Sequence, residues 1–321
     1  MARPPAPSPS RQTDMTDQPS PVLMAAMQEV GAAVEAALDR LLPAVGKGGT
    51  AKLDNAMRYA SLGGGKRLRA LLAVASADLF GVPRERSLRV AAAIEMLHSY
   101  SLIHDDLPCM DDDDLRRGKP TVHKAFDEAT AVLAGDGLQT QAFLTLADAA
   151  THPDAAVQAG LVAGLAQASG ARGMVGGQAI DLAAEDRTAA GQPLSYDEIA
   201  DLQALKTGAL IQFSAEAGAM LGQAGTAERA VLRDYAAELG LAFQIADDLL
   251  DHEGSAAELG KAVGKDAAAG KATFVGLLGL EPARAKARAL TNSAKSRLLS
   301  HFGPRSMVLQ ELAEFVITRR S

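Results

Sequence analysis

"SLRVAAAIEMLHSYSLIHDDLPCMDDDDLRRGKP", residues 87–120, changes character halfway along. Residues 87–105 read as a long buried helix, which Pro108 should end. Beyond it six aspartates fall within ten residues, followed by three basic side chains within four. A buried helix that delivers like charge beside opposite charge predicts a site assembled at helix ends.

The same periodicity recurs on both sides of this stretch. It predicts helices over 22–42, 52–62, 70–80, 123–150, 154–169, 196–221 and 228–251, with closing helices over 271–280, 282–300 and 304–319. No helix is assigned to 170–195. Residues 252–270, "HEGSAAELGKAVGKDAAAG", are Gly-rich, charged and long enough for a functional loop. Aromatics make up 4% and Trp is absent, while Ala, Leu and Gly dominate. Such a composition favours close-packed helices over β-sandwiches, so the predicted class is all-α. No solenoid repeat is visible.

The net charge of −7 argues against a nucleic-acid partner, which needs a basic face. Cys109 is the single cysteine, so an intrachain disulfide is impossible and a reducing compartment, the cytoplasm, is expected. Residues 1–21 are rich in Pro, Ser and polar side chains and are expected to form a disordered extension, with Met15 as a second candidate start. Residues 22–321 are expected to form a single helical domain. No run approaches the roughly 18 consecutive apolar residues of a membrane span, so none is predicted.

A second acidic cluster, "QIADDLLDHEG" at 244–254, lies about 140 residues beyond the first, each at the end of a predicted helix. Asp247 and Asp251 are four apart and share a helix face, where like charges repel unless a cation lies between them. Mg²⁺ fits, because it takes one or two carboxylates and leaves its other positions to water and phosphate. Asp105 and Asp111 are six apart and share a face only if the backbone around Pro108 bulges. A calcium loop fails for want of the glycine and glutamate an EF-hand requires.

Basic clusters complement the acidic ones. "GGGKRLR" at 63–69 offers Lys66, Arg67 and Arg69 at a helix start, where the dipole also favours an anion. Arg116 and Arg117 suit bidentate phosphate contacts, and Lys206, Lys261 and Lys271 follow downstream. With neither GxxxxGK[ST] nor GxGxxG present, nucleotide chemistry is not indicated. Paired acids and separate basic groups predict a site for diphosphate esters.

In order, "GGGKRLRALL", "HSYSLIHDDLPCMDDDDLRRGKPTVHKAF", "AGDGLQTQAF", "GGQAIDL", "KTGALI", "FQIADDLLD" and "GKAVGKDAAAGKATF" resemble the motifs of short-chain trans-prenyltransferases of the polyprenyl synthetase family. The resemblance runs from about residue 25 to the C-terminus. It implies a helical bundle around a central cavity, a homodimer, and three Mg²⁺ per site held between two facing Asp motifs. The implied reaction is head-to-tail condensation of isopentenyl diphosphate with dimethylallyl and geranyl diphosphate.

By the same resemblance, Asp105, Asp111, Asp247 and Asp251 are metal ligands, with Asp106 and Asp248 beside them. Lys66, Arg69, His98 and Arg117 match the isopentenyl diphosphate site, and Arg116, Lys206, Lys261 and Lys271 the allylic diphosphate site. Thr207 and Gln244 match polar groups near the developing cation. Tyr100, with Ser101, lies where chain length is set, and its bulk implies a fifteen-carbon farnesyl product over a twenty-carbon one. Arg319 and Arg320 resemble a basic tail that covers the site in some relatives. His104 reads as structural, and Cys109 matches no role.

Two rivals are weighed. A non-catalytic partner subunit usually lacks an Asp motif, and both are present. A terpene cyclase does not need "GGGKRLR" for a second diphosphate.

Overall fold

A computed structural model of the chain describes residues 19–257 and 273–319. The first helix, α1 (Pro21–Leu41), starts where Ser20 accepts a hydrogen bond from the Leu23 N–H at 3.1 Å and Pro21 presets the first turn. Next come α2 (Ala51–Ser61), α3 (Leu68–Asp78) and α4 (Arg84–Asp105). Burial on α4 runs right round the helix between Ser87 and Leu97, so it is central, packed against α1, α3 and α6 (Glu128–Ala147). The predicted helix over 123–150 is two helices, α5 (Val122–Ala125) and α6. Asp127 separates them as the α6 N-cap, accepting from the Thr130 N–H at 2.7 Å.

A two-stranded hairpin, β1 (Leu115–Arg116) and β2 (Lys119–Pro120), follows α4 and was not anticipated. After α7 (Ala155–Ser169) comes a second unanticipated element, α8 (Met174–Ala189), in the segment left without a helix. Its run of glycines reads as a breaker in sequence but serves close packing. The predicted helix over 196–221 is α9 (Tyr196–Gln203) and α10 (Ala209–Leu221), joined by a π turn at Ala204–Gly208. Last come α11 (Thr226–Ala257), α12 (Phe274–Leu278), α13 (Leu280–Phe302) and, after a 3₁₀ turn, α14 (Met307–Thr318).

Because α11 continues to Ala257, the second Asp motif lies inside a helix rather than at its end, and residues 252–257 of the expected loop are helical. The rest of that loop and residues 1–18 lie outside the described residues.

One large apolar core fills the space between α1, α3, α4, α6, α7, α10 and α11. A smaller one, with Ile199, Leu202, Ile245, Leu249 and Phe274, backs the second Asp motif. Ile245 and Leu249 turn into it from α11, which sends Asp247 and Asp251 the other way. In length and hydropathy α1 resembles a membrane span. However, Leu23, Val30, Val34, Ala37 and Leu38 dock it into the large core, and its other side carries Glu29 and Glu35.

Candidate active site

Asp105 is the last residue of α4, and the chain after it folds back. The Asp111 N–H donates to the Asp105 carbonyl at 2.9 Å, while Met110 and Asp112 both donate to the Leu107 carbonyl. Two carboxylates six apart in sequence are thereby neighbours, through the bulge that Pro108 led us to expect. Burial lifts the Asp105 carboxyl to about 6, with Asp111 adding to the shift and Lys206 opposing it. Asp106 turns elsewhere. It is buried and accepts from Arg116 Nε at 2.6 Å, which clamps the hairpin onto the end of α4.

The hairpin unites two basic clusters that are separate in sequence. Arg117 (φ 52) and Gly118 (φ 74) form its two-residue turn, which demands positive φ at both positions. Arg117 then lies over the triglycine loop and donates to the Gly64 carbonyl at 3.2 Å. Gly65 has φ +101, and a Cβ there would lie 2.6 Å from the Arg117 guanidinium, so only glycine fits. Arg67 turns inward to Glu95 at 2.9 Å, Glu35 at 2.8 Å and the Ser61 carbonyl at 2.6 Å. That buried network anchors the loop and leaves Lys66 and Arg69 to face a cavity.

The cavity has a volume of about 770 Å³ and is lined by Lys66, Arg69, His98, Arg116, Arg117 and Asp247, together with Gln244 and Thr207. A second chamber of about 530 Å³ holds Asp105, Tyr100, Ser101 and Lys206. Arg69, His98, Leu102 and Thr207 line both, so the chambers are adjacent and open onto opposite Asp motifs.

Arg69 Nη1 lies 3.3 Å from His98 Nε2. Arginine has only donors, so His98 Nε2 accepts and its ring proton sits on Nδ1. Burial, then Arg69, Arg117, Arg67 and Arg116, hold the His98 pKa well below its ordinary 6.5. The unfolded chain therefore binds the proton more readily than the native protein, and stability falls as pH drops below 6.5. In thermal melts without ligand, His98→Asn should lose less stability than the parent on acidification through that window. An identical pH profile would mean that His98 carries a proton in the native state.

Lys206 and Thr207 sit in the π turn, an irregularity common at functional sites. Lys206 Nζ pairs with Asp181 Oδ2 on α8 at 2.5 Å. Asp181 lies in the quoted "GGQAIDL" stretch, but with its helix unassigned it received no role. A Cβ on Gly177 would lie 2.2 Å from the Lys206 backbone nitrogen, so α8 and the π turn touch through their backbones. Gly177→Ala should destabilise the fold by about 1–3 kcal/mol and displace Lys206. Urea denaturation checks this, and an unchanged midpoint would show that α8 can shift at no cost.

At the second motif Asp247 Oδ1 accepts from Arg319 at 2.5 Å, and the Arg319 guanidinium lies 3.8 Å above the Phe243 ring. Burial raises the Asp247 carboxyl, with Arg319 opposing and Asp251 adding to the shift. Lys66 faces the same carboxylate, its pKa lowered by burial and then by Arg319. Asp248 accepts from the Phe274 N–H at 2.6 Å and so holds the start of α12. Asp111, Asp248 and Asp251 line neither chamber. Lys261, Lys271 and Arg320 lie outside the described residues.

Among the described residues no three His, Cys or carboxylate side chains converge on one point. One carboxylate of each motif lines a chamber, Asp105 the smaller and Asp247 the larger, with Asp111 and Asp251 as their charged neighbours. Such a donor set suits a hard cation that completes its shell with water and phosphate oxygens, and it does not suit a full protein cage.

A model of the polyprenyl synthetase family matches residues 50–300. The chain is 47% identical to the farnesyl diphosphate synthase of Escherichia coli over 268 residues, which is 82% of this chain and 88% of that protein. It is 43% identical to a chloroplastic heterodimeric geranylgeranyl pyrophosphate synthase large subunit of Arabidopsis thaliana, over 84% of this chain and 73% of the other. Among solved structures, an FPP/GFPP synthase from Zymomonas mobilis superposes with a TM-score of 0.83 at 50% identity, covering 92% of this chain and 99% of that one.

Proposed function

The chain belongs to the polyprenyl synthetase family, and we propose that it condenses isopentenyl diphosphate head-to-tail with dimethylallyl and then geranyl diphosphate, releasing diphosphate and giving (2E,6E)-farnesyl diphosphate. The observation that carries this reading is the pair of adjoining chambers. One is ringed by Lys66, Arg69, His98 and Arg117, as an isopentenyl diphosphate needs. The other is charged near Asp105 and Lys206 and apolar beyond, as an allylic diphosphate needs.

The chain's residues divide the work. Lys66, Arg69 and Arg117 hold the isopentenyl diphosphate by charge-assisted hydrogen bonds, and neutral His98 offers its Nδ1–H. Lys206, steadied by Asp181, and Arg116 meet the allylic diphosphate, with Lys261 and Lys271 assigned to the same group. Asp105, Asp111, Asp247 and Asp251 would hold Mg²⁺, three ions per site. When bound, these supply Lewis-acid charge to the departing diphosphate. Arg319, paired to Asp247 Oδ1, competes with a cation for that carboxylate. Thr207 and Gln244 present oxygens to the allylic cation, and Tyr100 closes the chamber beyond the third isoprene unit. The leaving diphosphate takes up the proton, so no side-chain nucleophile is needed.

A cytoplasmic homodimer completes the reading. The lone cysteine supports the compartment, and exposed Val132, Leu133 and Leu144 on α6 support the dimer face. A longer product is the second reading, favoured by the relatives named for geranylgeranyl and GFPP synthesis. Mass spectrometry of products from isopentenyl diphosphate with each allylic primer, with Mg²⁺ and with EDTA, separates the two. Mg²⁺-dependent farnesyl diphosphate, with no extension of farnesyl primer, supports the first. Twenty or more carbons overturns the chain length, and no condensation with any primer overturns the activity.

A further inference from the structure

The stretch "AGDGLQTQAF", residues 134–143, lies within α6 and holds none of the residues assigned to phosphate or metal. Its Gly135 is buried, and a Cβ there would lie 2.2 Å from His104 Nε2 and 2.5 Å from His104 Cδ2. The bare backbone at 135 is the seat of an imidazole. Nε2 lies 3.1 Å from the Val132 carbonyl, three residues earlier on α6, and since a carbonyl only accepts, Nε2 carries the proton and donates. Two contacts from one helix thus fix the ring.

The same imidazole meets Tyr100. The two side chains are four residues apart on α4, hence on one face, and their rings stand edge to face with centroids 5.0 Å apart and planes at 79°. Tyr100, His104 and Val132 all line the smaller chamber, to which Asp105, the residue after His104, also belongs. A chain of contacts therefore runs from Gly135 through His104 to Tyr100 and the chamber.

We propose that His104 is a positioning residue and Gly135 a specificity-determining one, which together fix how far the Tyr100 ring reaches into the chamber and so which product leaves. This rests on the prenyltransferase reading above. Neither group makes or breaks a bond; what they govern is the branch between release of geranyl diphosphate and its second condensation. A methyl group at 135 drives the imidazole off α6 toward Tyr100 and takes room from the third isoprene unit. Loss of the imidazole lets Tyr100 fall back and gives room.

The test is Gly135→Ala in the full chain, supplied with Mg²⁺, isopentenyl diphosphate and dimethylallyl diphosphate, with the products dephosphorylated and separated by gas chromatography. The ratio of ten- to fifteen-carbon product should rise roughly tenfold, the low end of what one methylene decides in an apolar pocket. In a His104→Ala background the same substitution should move that ratio by less than about twofold, because the ring it displaces is gone. A parental ratio in Gly135→Ala overturns the proposal. An equal shift with and without His104 does the same, since the effect would then lie in α6 alone. A lower melting temperature and lower turnover at an unmoved ratio mark a merely structural role and also overturn it.

Should the alanine variant not fold, His104→Ala reports on the same contact without crowding. It should shift the product toward twenty carbons, and in a Tyr100→Ala background it should change the product ratio by less than about twofold. An unshifted product, or a gain that adds in full to that of Tyr100→Ala, overturns the positioning role. The parent chain is assayed alongside: if it makes no prenyl diphosphate, the prenyltransferase reading fails and this one with it. An active parent with unshifted variants refutes Gly135 and His104 alone.

Discussion

Asp105→Asn and Asp247→Asn should each lower Mg²⁺-dependent turnover on the order of 10³-fold, comparable to the loss of a preorganised charge-stabilising group elsewhere. The Asp105 change should spare the fold. Burial raises the pKa of both carboxyls in the native protein. A group whose folded pKa is raised binds its proton more readily in the native state, so its charged form costs stability as pH climbs through the shifted value. Replacing Asp105 with neutral Asn removes that cost, and its melting temperature should stay level or rise, whereas Asn at 247 also takes the charge from buried Arg319 and should lower it. Steady-state kinetics at several Mg²⁺ concentrations, beside thermal melts, check both halves. Near-parental turnover in both variants would sink the assignment of these carboxylates to the metal. Lost turnover accompanied by lost stability in the Asp105 variant would mean that Asp105 holds the fold.

Tyr100→Ala should lengthen the product from fifteen carbons to twenty or more. The half-buried ring lines the smaller chamber, and its edge meets His104 at 5.0 Å between centroids. Removing it adds the space it fills to the chamber that His104 and Val132 also line. Since the ring is only partly covered, the loss of stability should stay below the roughly 3–5 kcal/mol of a fully buried aromatic truncation. The first condensation should proceed at near-parental rate, because the diphosphate groups bind elsewhere. Chromatography of dephosphorylated products shows the outcome directly. If farnesol remains the sole alcohol, pocket depth is not set by Tyr100.

What could be read from the chain follows a physical divide. Residues whose role comes from their own helix were legible: α4 carries its buried face in its composition, and Asp247 and Asp251 share a face by spacing alone. Residues whose role comes from another element were not. Arg67 resembles its neighbours Lys66 and Arg69, and only the approach of Glu35 and Glu95 makes it a structural anchor. Asp106 and Asp248 stand inside acidic motifs, but partners from the hairpin and from α12 draw them aside.

The missed helix α8 is the sharpest instance. Gly176 and Gly177 weaken a helix locally by about 1 kcal/mol each relative to Ala, which argues for a loop, and tertiary contact with the π turn outweighs it. Asp181 stood in the quoted "GGQAIDL" stretch, but without the helix it received no role. The hairpin left a trace in Arg117–Gly118, a dipeptide that suits a two-residue turn, but two-residue strands are too short for periodicity to register.

The π turn at Ala204–Gly208 also bears on which insertions and deletions the chain tolerates. Each residue advances a helix by about 100°, and the extra one here offsets everything before it against everything after it. Deleting any one of these five would let α9 and α10 merge into a single regular helix with better backbone hydrogen bonding. It would also swing the preceding segment by that angle, so that Lys206 and Thr207 could not both keep their present directions. A shorter and locally more regular chain would therefore lose the present arrangement of Lys206 and Thr207, so in this segment the number of residues matters independently of their identity.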